Sequence, residues 1–262
     1  AAQPAESGYP SKSIRLVVPF APGGGADIMG RAIGQKISAG FKQPVVIDNR
    51  AGAGGRIGAE FVAKSPPDGY TLFLGTTSTL VWGPNLYDKL TYDAAKDFAP
   101  IAPFASAFTV MVVHPSVPAK TVKELIALAK ARPGQLNYAS SGTGAPAHLA
   151  AELFNYAAQV KTNHIPYKGS APGTIALISG ETELMFSNIL PALSPVKSGK
   201  MRALAVTSLK RSPVLPEVPT ASESGLKDFE VYVFYGLVGP AGMPADVVQR
   251  LHAEISSATQ SP

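Results

Sequence analysis

The chain has 262 residues, 45% of them hydrophobic and only 16% charged, a composition that builds ordered cores. One compact domain usually takes about 150 residues, so two lobes are expected. Lys and Arg number 23 against 18 Asp and Glu, a net +5 scattered along the chain rather than gathered into a basic segment, which excludes nucleic acid as a partner; the absence of cysteine excludes disulfides, thiolate metal sites and cysteine nucleophiles together.

The first residues, "AAQPAESGYP", are small, polar and Pro-containing and do not begin with Met, as expected of the mature end of an exported protein after loss of a signal peptide. No apolar run approaches the ~18 residues of a membrane span. Short β-branched and aromatic runs follow at residues 14–20 (IRLVVPF), 44–49 (PVVIDN) and 70–76 (YTLFLGT), the first two leading into helical patterns at 26–39 and 56–64. A second series runs strand to residue 114 (FTVMVVH), helix 122–131, strand LNYAS, helix 147–157, strand TNHIPY and helix 174–179. Strand ELMFSN, helix 192–197 and strand MRALAVTS complete it. A Pro-rich irregular stretch then precedes a last strand at 231–239 and a helix at 245–257. This alternation predicts an α/β protein of two lobes, each a mainly parallel sheet flanked by helices. The last strand returns to the first lobe, placing residues 1–108 and 229–262 in one lobe and 109–228 in the other, with hinges near 108 and 228 and a cleft between.

Open α/β sheets bind ligands beyond the carboxyl ends of their strands. Four loops leaving those ends share one composition. They are Pro22, Gly23, Gly24, Gly25, Ala26 and Asp27 after Phe20; Thr76, Thr77 and Ser78; Ser140, Ser141, Gly142, Thr143, Gly144 and Ala145; and Gly169 and Ser170 after Tyr167. Glycine lets backbone approach a ligand closely, hydroxyls donate and accept, and Pro146 and Pro172 suit a first helical turn. Each turn aims N–H groups, backed by the helix dipole, at the cleft. Any one such loop is an ordinary strand-to-helix turn; four together indicate an anion site without a fixed cation. The backbone amides of residues 23–26 and 142–145 are its expected donors. His148, one turn into the next helix, either donates to the ligand or caps the loop.

Catalytic signatures are absent: no G-x-S-x-G, H-E-x-x-H or Walker loop occurs, and the S-x-x-K match at Ser194 and Lys197 lacks its partner motifs. Dinucleotide binding is the alternative, since Gly142, Gly144 and Ala147 fit G-x-G-x-x-A. Against it, Tyr167 and Lys168 stand where an NAD site wants Asp or Glu, although Lys168 suits the 2′-phosphate of NADP.

The segments IRLVVPFAPGGGADIMGR, VVIDNRAGAGGRIGAEFVAKSPPDGYTLFLGT, LNYASSGTGAPAHLAAELF, IPYKGSAPG and VFYGLVGPAGMP closely resemble the Bug (TctC) family, the substrate-binding proteins of tripartite tricarboxylate transporters, from about residue 14 to 255. The resemblance implies a monomeric periplasmic clamp, without cofactor or catalysis, that delivers small organic acids to membrane transporter subunits. Family members hold a ligand carboxylate through amides, hydroxyls and waters at the Gly-rich loops. They also continue some dozens of residues past the last helix here, which puts the C-terminal packing of the first lobe in question. Asn188 stands where many members have Asp, and Phe234 where many have Trp. Those departures point away from amino acids and toward neutral-bodied acids, aromatic ones among them, given Phe20, Trp82, Tyr167, Phe234 and Tyr235.

Overall fold

The computed structural model describes residues 8–260; the expectation of an exported N-terminus rests largely on residues 1–7 and lies outside them. β1 (Ile14–Val18) has parallel neighbours on both sides, β2 (Val45–Asn49) and β3 (Thr71–Thr76). Ile14, Leu16, Val17 and Val18 are fully buried, as in a parallel strand covered on both faces. α1 (Gly25–Phe41) lies on this sheet. It rides close because Gly30 faces Val18, where a Cβ would come within 2.8 Å of Cγ2. α2 (Arg56–Ala63) covers the other face, and α3 (Gly83–Leu86) follows a π turn at Ser78–Trp82 that the sequence did not signal.

β4 (Phe98–Val113) is 16 residues long and belongs to both sheets. Its first part pairs antiparallel with β9 (Tyr232–Pro240), which is also antiparallel to β3. Its last part lies between β7 (Leu184–Asn188) and β8 (Arg202–Val206), antiparallel to each. β5 (Asn137–Ser140) runs parallel to β7 and to β6 (Asn163–Pro166). The strand path is β2-β1-β3-β9-β4-β7-β5-β6, with β8 on β4. Sequence reading starts this strand only at residue 108. The earlier half hides behind Pro100 and Pro103, which give up ladder hydrogen bonds and sit where the β4–β9 register shifts.

The second sheet carries α4 (Val122–Ala131), α5 (Pro146–Ala158), α6 (Ser170–Ile178) and α7 (Ile189–Lys197). α6 and α7 begin three or more residues before the periodicity suggests. Pro172 is accommodated in the first turn of α6, and Asn188 caps α7 by accepting from Leu190 N–H at 3.0 Å. α8 (Ala245–Gln260) packs on α1 and β4 through Val247, Leu251 and Ile255. Among the described residues no helix is long and apolar enough to cross a membrane.

Where β4 leaves one sheet for the other, Thr207 ties it to the returning chain. Its buried hydroxyl donates to the Val231 carbonyl at 2.6 Å and accepts Thr109 N–H at 3.0 Å, while Thr207 N–H donates to Thr109 O at 2.9 Å. Thr207→Val keeps the shape but strands a buried amide and a buried carbonyl. We expect a loss of about 1–3 kcal/mol in a denaturant melt, with Thr207→Ser close to the parent.

Candidate functional site

The walls of the cleft are built from strand ends and the helices that follow. Phe20, Gly25, Ala26 and Thr76 come from the β1 and β3 side. Thr109, Ser141, Pro146, Ala147, Ser170, Phe186 and Asn188 come from the second sheet and its helices, and Val233 and Tyr235 from β9. They enclose a cavity of ≈ 40 Å³. No charged side chain lines it.

The structure thus gathers Phe20, Gly25, Ala26, Thr76, Ser141, Ser170 and Asn188 of the expected residues around one space. Others support it from behind. Asp27 is buried and accepts from Gly23 N–H at 2.9 Å, Arg31 Nε at 2.9 Å and Asn49 Nδ2 at 3.0 Å. Burial by itself would raise the Asp27 pKa, but these bonds outweigh it and hold the carboxyl below its ordinary value. Asp27 therefore fixes its own loop rather than facing a ligand. Ser78 Oγ is 2.9 Å from Thr76 Oγ1, and Thr77 Oγ1 accepts Phe234 N–H at 3.0 Å. Thr77 and Phe234 line a separate groove with Trp82 and Tyr232. The Tyr167 hydroxyl turns away to Glu181 at 2.8 Å.

Gly23, Gly24 and Gly169 lie along the seam where the walls meet. Ala21 N–H donates to Lys168 O at 3.0 Å and Gly25 N–H to Ser170 Oγ at 3.3 Å. A Cβ on Gly24 would come within 2.7 Å of Ser170 Oγ, and one on Gly169 within 2.9 Å of Ala21 N. Across the mouth, Tyr87 OH donates to Thr143 O at 2.9 Å while Arg56 stacks on the Tyr87 ring at 3.7 Å. The loop holding Gly54 meets the loop of Gly142 and Thr143, and a Cβ on Gly54 would collide with the Thr143 carbonyl. Sequence reading missed this "AGAGG" loop, although it leaves a strand end and repeats the glycine pattern of three of the other four.

Four of the eight expected amide donors are turned inward. Gly142 N–H donates to Ser140 Oγ at 3.1 Å, Gly144 N–H to His148 Nδ1 at 3.1 Å, Ala145 N–H to Gly142 O at 3.0 Å and Gly23 N–H to Asp27. His148 accordingly caps the loop. The residues that line the cavity and carry N–H or hydroxyl donors include Ala26 and Ala147, on the first turns of α1 and α5, and Ser141, Ser170 and Tyr235. Tyr235 is 2% exposed, and burial raises its pKa well above the phenol value, although the bond to Asn188 opposes this. Its oxygen accepts Asn188 Nδ2–H at 2.8 Å, leaving the phenolic proton to be donated. Phe20, Phe186 and Val233 supply an apolar floor. Donors without acceptor charge around such a floor suit a small anion. Thr109, Phe186 and Val233 carry no sequence signal for this role, because a strand residue's face depends on pairing.

Among the described residues no group of three or more His, Asp or Glu is placed to hold a metal ion. The dinucleotide alternative finds no support. Gly142 and Gly144 pack against Gly54 and the Tyr87 ring, which fill the approach a pyrophosphate would need.

Comparisons with known proteins bear on the fold and the family. The model of the "tripartite tricarboxylate transporter family receptor" matches residues 29–262. BugT of Bordetella pertussis is 37% identical over 97% of this chain and 78% of its own length. The structure of Rpa4515 of R. palustris with adipate aligns with a TM-score of 0.92 at 36% identity, covering 95% of this chain and 83% of that one. MatC of Rhodopseudomonas palustris, with bound malate, aligns with a TM-score of 0.93 at 33% identity, covering 97% and 86%. The two sheets are the lobes of a clamshell binding protein, and the chain belongs to the tripartite tricarboxylate transporter receptor (TctC, or Bug) family, whose members bind their ligands rather than transform them.

Proposed function

We propose that this protein captures a small organic carboxylate between its lobes in the periplasm and, as a monomer, delivers it to the membrane subunits of a tripartite transporter. The observation that carries this reading is a cavity at the meeting of two glycine-rich walls, ringed by hydroxyl and helix N-terminal donors and free of any fixed charge. Neighbours that hold adipate and malate support it. In this reading the lobes are residues 1–108 with 229–262, and residues 109–228, moving about the Thr109–Thr207–Val231 crossing.

The cavity favours a neutral-bodied acid. Its lining holds no Asp or Glu to pair with an amino group, and the Asn188 amide is committed to Leu190 and Tyr235. A thermal-shift panel of di- and tricarboxylates, aromatic acids and amino acids tests this. At a hundredfold excess over Kd the fitting acid stabilises the protein by about 2.7 kcal/mol and is recovered unchanged by mass spectrometry. Turnover of that acid, or a shift only with NADP, overturns the proposal.

Calorimetric titration of variants with the same acid tests the way it is held. Ser170→Ala removes one hydroxyl donor and is expected to weaken binding about tenfold, whereas Lys168→Ala stays within about twofold. Gly54→Ala puts a side chain at φ 65° and against Thr143, so the mouth no longer shuts, and affinity falls by more than about tenfold. If Lys168→Ala abolishes binding, a salt bridge holds the anion instead.

A further inference from the structure

Beneath the loop of residues 140–146 lie three aromatic rings in nearly parallel planes. Tyr138 of β5 and His164 of β6 are register partners, with centroids 4.9 Å apart and planes at 13°. His148 of α5 stacks on His164 at 4.2 Å. Each imidazole holds part of the loop. His164 Nε2 is 2.6 Å from Ser140 Oγ, which accepts Gly142 N–H at 3.1 Å, and His148 Nδ1 accepts Gly144 N–H at 3.1 Å. Gly142 and Gly144 stand at φ 122° and 76°, so the loop path relies on these anchors.

The direction of the Gly144 bond fixes the protonation of His148. An amide N–H donating to Nδ1 needs a lone pair there, so the ring is neutral with its proton on Nε2. A second proton sets N–H against N–H and exchanges an attraction for a repulsion. Protonating His164 leaves the Ser140 hydroxyl proton without that ring as acceptor, and two imidazolium rings at 4.2 Å would repel. The groups facing the pair are Tyr138 on β5 and Glu152 on α5, which accepts from Tyr138 OH; on the far side of Gly144 stands Tyr87, backed by Arg56.

We infer that His148 is a positioning residue for ligand capture: only as the neutral imidazole does it hold the Gly144 amide inward and present Ser141, Pro146 and Ala147 to the cavity, so that acid unlocks the loop and weakens binding. The consequence for binding rests on the carboxylate-capture reading above. Burial lowers the pKa of both rings and Glu152 opposes it; His164, also lowered by His148, falls to about 4. The unfolded chain, with ordinary imidazoles near pH 6.5, takes up protons that the native state refuses. Stability that is full above pH 6.5 is therefore lost as the pH falls toward 4.

Two measurements decide the inference. In the free protein, ¹⁵N imidazole shifts at pH 7.5 are expected to show His148 protonated at Nε2, and the Gly144 amide resonance to move with the His148 titration. A proton on Nδ1 at that pH, or a Gly144 amide indifferent to His148, overturns the lock. This arm needs no ligand, so failure of every carboxylate to bind would sink the capture reading alone. In the second arm, calorimetry with adipate and malate from pH 4.5 to 8 is expected to show affinity falling by up to about tenfold per pH unit once His148 titrates. His148→Asn offers a pH-indifferent acceptor near the place of Nδ1. It is expected to bind within about threefold of the parent at pH 7.5 and to flatten the acid decline, while His148→Leu is weak throughout. An Asn variant that keeps the parent's pH profile overturns the proposal, since a merely structural role would leave that profile unchanged.

Discussion

β4 gives its first half to one sheet and its second half to the other, and the geometry of the cleft depends on that sharing. A strand cannot turn its peptide planes freely while both neighbours hold its hydrogen bonds, so the two sheets keep a fixed line of attachment. At the crossing, Thr109, Thr207 and Val231 bond to one another through a single hydroxyl and adjacent backbone. The ends of β1, β3, β5 and β7 are thereby brought to a common space. The helices that follow them bring their positive ends with them.

Charge is handled by keeping it out of the cavity. Asp27 sits nearby but is consumed by Arg31, Asn49 and its own loop, and Lys168 contributes only its carbonyl to the seam. The groups that face inward are hydroxyls and amides, whose donors are already oriented by bonds on their other side. Ser170 accepts from Gly25, and Tyr235 accepts from Asn188. Such pre-organised donors stabilise an anion without the desolvation cost of a buried ammonium or guanidinium.

How much of this is legible in the sequence depends on whether a signal is local. β1, β3 and β5 are short runs that lead into loops rich in Gly, Ser or Thr, and four of the five wall loops can be read from that pattern alone. β4 before residue 108 is obscured by Pro100 and Pro103, whose tolerance comes from register shifts of β4 against a partner strand more than 130 residues away. The same distance hides Tyr235 and Val233, which reach the cavity because β9 inserts antiparallel between β3 and β4. Phe234, one residue over, points to the opposite groove, as alternation along a strand requires. His148 could be placed on its helix but not assigned a partner, since the Gly144 amide turns toward it only once the loop path is fixed.

Across the seam the walls meet as backbone on backbone at Gly54, Gly142 and Gly169, while Gly24 meets the Ser170 hydroxyl and Gly144 the Tyr87 ring. The residues of this seam are thus distinct from those that line the cavity floor, Phe20, Phe186 and Val233. Substitution among the floor residues can therefore change the shape and polarity of the cavity without touching the seam.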